Sequence, residues 1–236
     1  MLMKSSKEHD TALTAAAAGG VVGVLIGSSV MKQKALKEVD GVAPLKAHDL
    51  KNMVYSQLKS WQTKQVLPSV LMPVEQPGNG LRYALHPYLL AVSYGNGELE
   101  LLVGLVTFLL DDDDEIWRGQ YVRHLSPNIS KEVIKDQVTM EALLESGLND
   151  ALGIFVSDLK GEIDKKDDTE MIMDAPDSHI YYAGFGGWAL NTPDEDIEAV
   201  DVRMPGFTVM GGIHLFSPDT ISTRPLPVAE NVKYMD

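Results

Sequence analysis

The most regular alternation of apolar and polar positions in the chain lies between Leu81 and Leu125. It predicts a three-strand antiparallel meander over Leu81–Tyr94, Glu98–Leu110 and Glu115–Leu125, turning at Gly95-Asn96-Gly97 and at the acidic run Asp111–Asp114. The central segment begins with alternation (Glu98, Leu99, Glu100, Leu101) and then becomes apolar on both faces through Leu110. A strand of that kind is covered on both sides, and a helix is the expected cover. In the third strand Ile116, Arg118, Gln120, Val122 and His124 fall on one face, and Trp117, Tyr121 and Leu125 on the other. Pro87 interrupts the first strand, which implies a bulge or an edge position there.

Helical spacing flanks the meander. Leu50, Met53, Val54, Leu58 and Trp61 recur every three or four residues, Pro44 and Asp49 are start signals, and the helix is expected to end near Lys64. Ser126-Pro127-Asn128 is expected to break the sheet. Thr139 then caps a second helix, Thr139–Ile163, with Leu144, Leu148, Ala151, Leu152, Phe155 and Leu159 as its apolar stripe. Gly147 and Gly153 weaken this helix by about 1 kcal/mol each relative to alanine, so they point to close helix–sheet contact. Glu162–Asp177 reads as a charged loop, His179–Leu190 as extended, and Asn191–Glu198 as an acidic loop. Val200–Met204 and Phe207–Phe216 flank Pro205-Gly206 as a hairpin, and a proline-rich tail follows.

The N-terminal pattern is different. Ala12–Met31 carries no charge, and 20 helical residues span about 30 Å, the thickness of a bilayer core. It is expected to be a transmembrane or signal-anchor helix. Gly19, Gly23 and Gly27 recur every four residues, the spacing of a close helix-packing face. Leu25-Ile26-Gly27-Ser28 is similar to a lipoprotein box with serine in place of the lipid-bearing cysteine. The lysines that follow the run slightly favour a cytoplasmic domain, whereas the lipoprotein-like reading favours the periplasmic side. The organisation expected is a polar tail (1–11), the anchor (12–31), a connector (32–43), an α+β globular domain (44–218) and a C-terminal tail (219–236).

Charge and composition narrow the functional classes. A net charge of −14 without a basic face argues against nucleic-acid binding. The chain has no cysteine, which excludes disulfides, thiol catalysis and cysteine-ligated metal centres. Asp111–Glu115 lacks the spacing and internal glycine of a calcium loop and reads as a solvated turn. No HExxH or GxSxG motif occurs. Gly184-Phe185-Gly186-Gly187-Trp188 lacks the lysine of a phosphate loop and reads as glycines fitted beside aromatics. His124, His179 and His214 all fall on expected extended segments, so folding could bring them together as metal ligands, though a chance arrangement is the simpler reading.

Leu105–Tyr121, an apolar strand, an acidic turn and then Ile116-Trp117-Arg118-Gly119-Gln120-Tyr121, followed by an amphipathic helix, resembles a pattern of small bacterial envelope assembly lipoproteins. These are the lipopolysaccharide-assembly lipoprotein class and the TolB N-terminal domain type. The resemblance covers roughly residues 46–163; it lacks the lipobox cysteine and has no counterpart after Asp164. It implies binding and scaffolding, with no catalytic residues and no cofactor. The combined expectation is an α+β fold, a predominantly antiparallel sheet packed by amphipathic helices behind an N-terminal membrane-anchor helix. The expected role is non-enzymatic: an accessory or assembly subunit of a membrane-associated complex in the bacterial envelope, with protein partners. Two alternatives stand beside it. One is a membrane-tethered enzyme or small-ligand or metal receptor built on the three histidines. The other is a soluble subunit that self-assembles through its glycine face.

Overall fold

A computed structural model of the chain describes residues 12–17, 20–26, 43–64, 81–93, 98–112, 114–174, 185–202 and 212–225. Its elements are β1 (Ala12–Ala17), β2 (Gly20–Ile26), α1 (Leu50–Thr63), β3 (Leu81–Ser93), β4 (Glu98–Asp111), β5 (Asp114–Ser130), α2 (Lys131–Lys135) and α3 (Gln137–Leu159). The C-terminal part adds β6 (Asp164–Lys165), β7 (Met171–Asp174), β8 (Phe185–Asn191), β9 (Glu198–Val202), β10 (Gly212–Phe216) and β11 (Ser222–Pro225). The fold is mixed α+β with a mostly antiparallel sheet in the order β1-β2-β3-β4-β5-β10-β9-β8-β7-β11, with β6 on β8.

The meander forms where the alternation places it. β3 pairs antiparallel with β4 from Leu81↔Asp111 to Ser93↔Leu99, and β4 with β5 from Asp111↔Asp114. Asp112 enters the two-residue turn at φ 51°, a left-handed conformation that aspartate tolerates better than most side chains. Every residue from Leu99 to Leu105 is buried, as its two-faced apolarity requires. Pro87 stands in register opposite Leu105, and β2 pairs with β3 only from Tyr88 onward, so the missing N–H falls at an open edge. The sheet does not break at Ser126-Pro127-Asn128. β5 runs on to Ser130, and Pro127 sits between the register shifts at Leu99 and Leu101, where no ladder bond depends on its nitrogen.

The helices pack on one face. Asp49 accepts a hydrogen bond from the Asn52 backbone N–H (3.0 Å) and caps α1, which buries Leu50, Val54 and Leu58. α3 begins earlier than its apolar stripe suggests. Asp136, not Thr139, is the cap, and its carboxylate accepts from the Thr139 backbone N–H (3.3 Å) and hydroxyl (2.6 Å). These bonds hold the exposed Asp136 carboxyl below its usual range, the Thr139 hydroxyl contributing most. The main core joins Leu89, Leu101, Val103, Leu105 and Tyr121 of the sheet to Leu144, Leu148, Leu152 and Phe155 of α3 and to the α1 stripe.

Beyond α3 the chain departs from expectation. The charged stretch 162–177 contains β6 and β7, and the proline-rich stretch after 218 contributes β11, which pairs with β7. β9 and β10 pair antiparallel, with Gly212↔Val202 in register, and the expected Pro205-Gly206 turn lies outside the described residues. A β-carbon at Gly187 would overlap the Asp201 carbonyl oxygen, so glycine there admits the neighbouring backbone of β9. Over 12–17 and 20–26 the backbone forms β1 paired antiparallel with β2, and β2 lies parallel to β3. The side chains of this segment, and residues 18–19 and 27–31 of the expected anchor, lie outside the described residues. Among the described residues no helix is long and apolar enough to cross a membrane.

Candidate functional site

The face of the sheet opposite the helices carries the unusual chemistry. On it Tyr88, Leu90, Leu102 and Val122 form a small buried cluster. Tyr88 lies so close over Gly104 that a β-carbon there would overlap its ring, and the Gln120 side-chain amide donates to the Tyr88 hydroxyl at 2.7 Å. Burial pushes the Tyr88 phenol well above its ordinary range. One step further along the strands the same face becomes ionisable.

Glu100 of β4, His124 of β5 and His214 of β10 meet there. His124 Nε2 and His214 Nδ1 are 3.1 Å apart, and His124 Nδ1 is 3.5 Å from a Glu100 carboxylate oxygen. The Phe216 ring stacks on the His124 imidazole, centroids 4.2 Å apart and planes 15° apart. Relative exposure is 2% for Glu100, 8% for His124 and 0% for His214, so three titratable groups sit out of reach of bulk water. Their meeting follows from register. Leu102 faces His124 across β4–β5, and Val122 faces His214 across the parallel β5–β10 pair. Burial holds the His124 imidazole below its ordinary value. The Glu100 carboxylate opposes that shift without overcoming it, and the neighbouring Arg123 guanidinium adds to it.

The facing nitrogens can share one proton only as donor and acceptor. In the neutral chain one imidazole donates to the other, and His124 Nδ1 stands 3.5 Å from the Glu100 carboxylate. Such a chain can hold and relay a proton. Substrate access is a separate matter. Two open clefts lie on the helix face, one of about 440 Å³ bordered by Trp117, Tyr121, Asp158, Asp201 and Ile213, the other of about 410 Å³ bordered by Trp61, Asp150, Ser157, Asp194 and Ile197. Neither is lined by Glu100, His124 or His214. In the first, the Tyr121 hydroxyl donates to Asp158 at 2.5 Å, and burial raises the Tyr121 phenol far above its usual range. Between the clefts Arg123 Nε donates to Asp150 at 3.0 Å and its Nη2 to the Ser217 hydroxyl at 3.1 Å. Burial raises the Asp150 carboxyl while Arg123 opposes the shift.

Of the three histidines singled out in the sequence, the fold brings two together. His179 lies outside the described residues. Among the described residues no group of three or more histidines and carboxylates is placed to hold a metal ion. Asp111, Asp112 and Asp114 are exposed at the hairpin tip, in keeping with a solvated turn. Gly19 and Gly27 also lie outside the described residues, and Gly23 falls within β2. Glu100 is the member the pattern conceals. Its alternation with Leu99 and Leu101 reads as solvent-facing, and the one local signal of burial is the apolar run that begins one residue later. The chain matches no protein-family model, and no curated protein or solved structure shows significant similarity to it.

Proposed function

We propose that the chain is a non-catalytic assembly subunit of a bacterial envelope complex, held at a membrane by residues 12–31 and docking a protein partner on the free end of its β3–β5 ribbon. One observation carries the docking role. Among the described residues β3 has no outer neighbour before Tyr88, and β5 has none on its β10 side before Tyr121. Along these residues neither edge of the ribbon has a described strand neighbour, and Leu81, Ile116 and Trp117 are exposed on it (68%, 56% and 37%). An open edge offers unpaired backbone donors and acceptors to an added strand, and alternate side chains give such pairing its specificity. The tip carboxylates Asp111, Asp112, Asp114 and Glu115 are exposed beside this edge, so the partner segment that suits it is extended and cationic.

Membrane attachment rests on the uncharged run itself. In a bilayer an open-edged hairpin leaves backbone groups without partners, so insertion of this segment requires it to leave the edge of β3 and form a helix. A photo-crosslinking residue at Ile116 in cells tests docking: a discrete adduct with a second protein is expected, and its absence with full expression would sink the docking role. Carbonate extraction of membranes tests the anchor separately, since complete release of the chain into the soluble fraction removes that part of the proposal.

A second reading, a tethered enzyme or small-ligand receptor, draws support from the Glu100–His124–His214 chain. It stands second because Glu100, His124 and His214 are all enclosed within the fold.

A further inference from the structure

We propose that Glu100, His124 and His214 form an acid-sensitive latch across the β5–β10 seam, releasing β10 from β5 when both imidazoles are protonated. The seam is where this sheet is most simply divided. It joins the β3–β5 meander to the β7–β11 half, it is parallel, and among the described residues its register covers Ile213–Leu215 against Tyr121–Arg123. The latch spans it on the face away from the helices.

Proton counting gives the mechanism. A first added proton is accommodated: an imidazolium at His124 directs Nδ1–H toward the Glu100 carboxylate and donates Nε2–H to a His214 Nδ1 that accepts. A second proton sets two donors against each other. With both rings charged, N–H groups face each other across 3.1 Å beside the Glu100 carboxylate. Arg123 and Glu198, charged groups on the strands packed against the latch, are engaged elsewhere. On β5, Arg123 adds positive charge from the opposite face, where Asp150 and Ser217 hold it. On β9, Val200 stands opposite His214, and Glu198, opposite Phe216, is engaged by Lys166 at 2.7 Å. Opening the seam lets each ring take up its proton in water at the ordinary histidine value. Release also uncovers Tyr121–Arg123 on the β10 side of β5. The latch stands on its own geometry, whether or not a partner uses that edge.

Hydrogen exchange of the full-length chain tests it, with the intrinsic pH effect on exchange divided out. Between pH 7.5 and pH 5, opening of the amides of 121–123 and 212–216 is expected to rise on the order of 10³-fold if two protons are taken up, and about 30-fold if one is. The double variant His124→Gln/His214→Gln should lose this acid dependence while α3 keeps its protection. Equal protection at both pH values in the wild type, or an undiminished acid response in the double variant, overturns the proposal. Imidazole nitrogen shifts of the wild type give a readout that needs no variant. Coupled titration of the two rings, with seam protection lost at the same pH, supports the latch. Independent titration near the ordinary histidine value with protection intact overturns it.

Discussion

Two glycines in one helix show how far a residue's role depends on what lies across from it. Gly147 and Gly153 both occupy α3, and intrinsic propensity penalises them alike. A β-carbon at Gly147 would overlap the ends of Leu125 and Val103, because this turn of α3 lies directly on the sheet. At Gly153 the nearest atom is Trp61 Cη2 at 4.0 Å, an ordinary contact with α1. Gly147→Ala should therefore lower stability by about 1–3 kcal/mol through overpacking. Gly153→Ala should raise it by about 1 kcal/mol. Urea midpoints of the two variants moving in opposite directions would bear this out. The sequence pointed to close packing at both positions, and the fold supports it at only one. Helical spacing says that Gly147 shares a face with Leu144 and Leu148, but it does not say how near that face comes to its neighbour.

At the scale of elements, legibility followed the range of the interactions that make each element. α1 was readable almost to its ends because its determinants are local, a carboxylate at Asp49 followed by an apolar stripe. Asp49→Ala should cost about 1 kcal/mol through the lost cap on the Asn52 N–H, read as a lower thermal midpoint with α1 amides exchanging first. The start of α3 was misplaced because Thr139 and Asp136 are both good caps, and the choice fell to Asp136 through the bonds it makes with Thr139 itself. The meander was legible because its turns and alternation are contiguous in the chain. β6, β7 and β11 were missed because they have two to four residues each, too few for a period, and they exist by pairing with distant strands. At this scale Tyr121 also ties sheet to helix. Tyr121→Phe keeps the ring against Phe155 (5.4 Å) but removes the bond to Asp158. A loss of about 1 kcal/mol in chemical denaturation is expected.

At the scale of the molecule, the buried polar chain is a consequence of one long-range junction, and it makes overall stability depend on pH. His124 and His214 are 90 residues apart, and no local pattern encodes the parallel β5–β10 register that brings them together. The sequence therefore identified the residues and their strands but not the geometry, and Glu100 looked like a surface carboxylate. Two bases, His124 and His86, are held below 6.5 in the folded chain, each chiefly by burial, with Lys51 adding to the shift at His86. A base whose folded value is lowered binds fewer protons in the native state. Its contribution to stability is complete above the unfolded value of about 6.5 and is lost as pH falls toward the folded value. Asp150 acts in the opposite sense. Burial raises its carboxyl, so its effect changes above the ordinary carboxylate value and favours the fold as pH falls through that range. The unfolding midpoint in urea should accordingly decline from pH 7.5 to 5.5, with a slope that reports protons taken up on unfolding. His86→Gln, at an exposed position of the ribbon, should remove a smaller part of that slope than His124→Gln in the enclosed chain. A flat midpoint in the wild type, or equal slopes in both variants, would mean that the buried imidazoles are not what ties this sheet to pH.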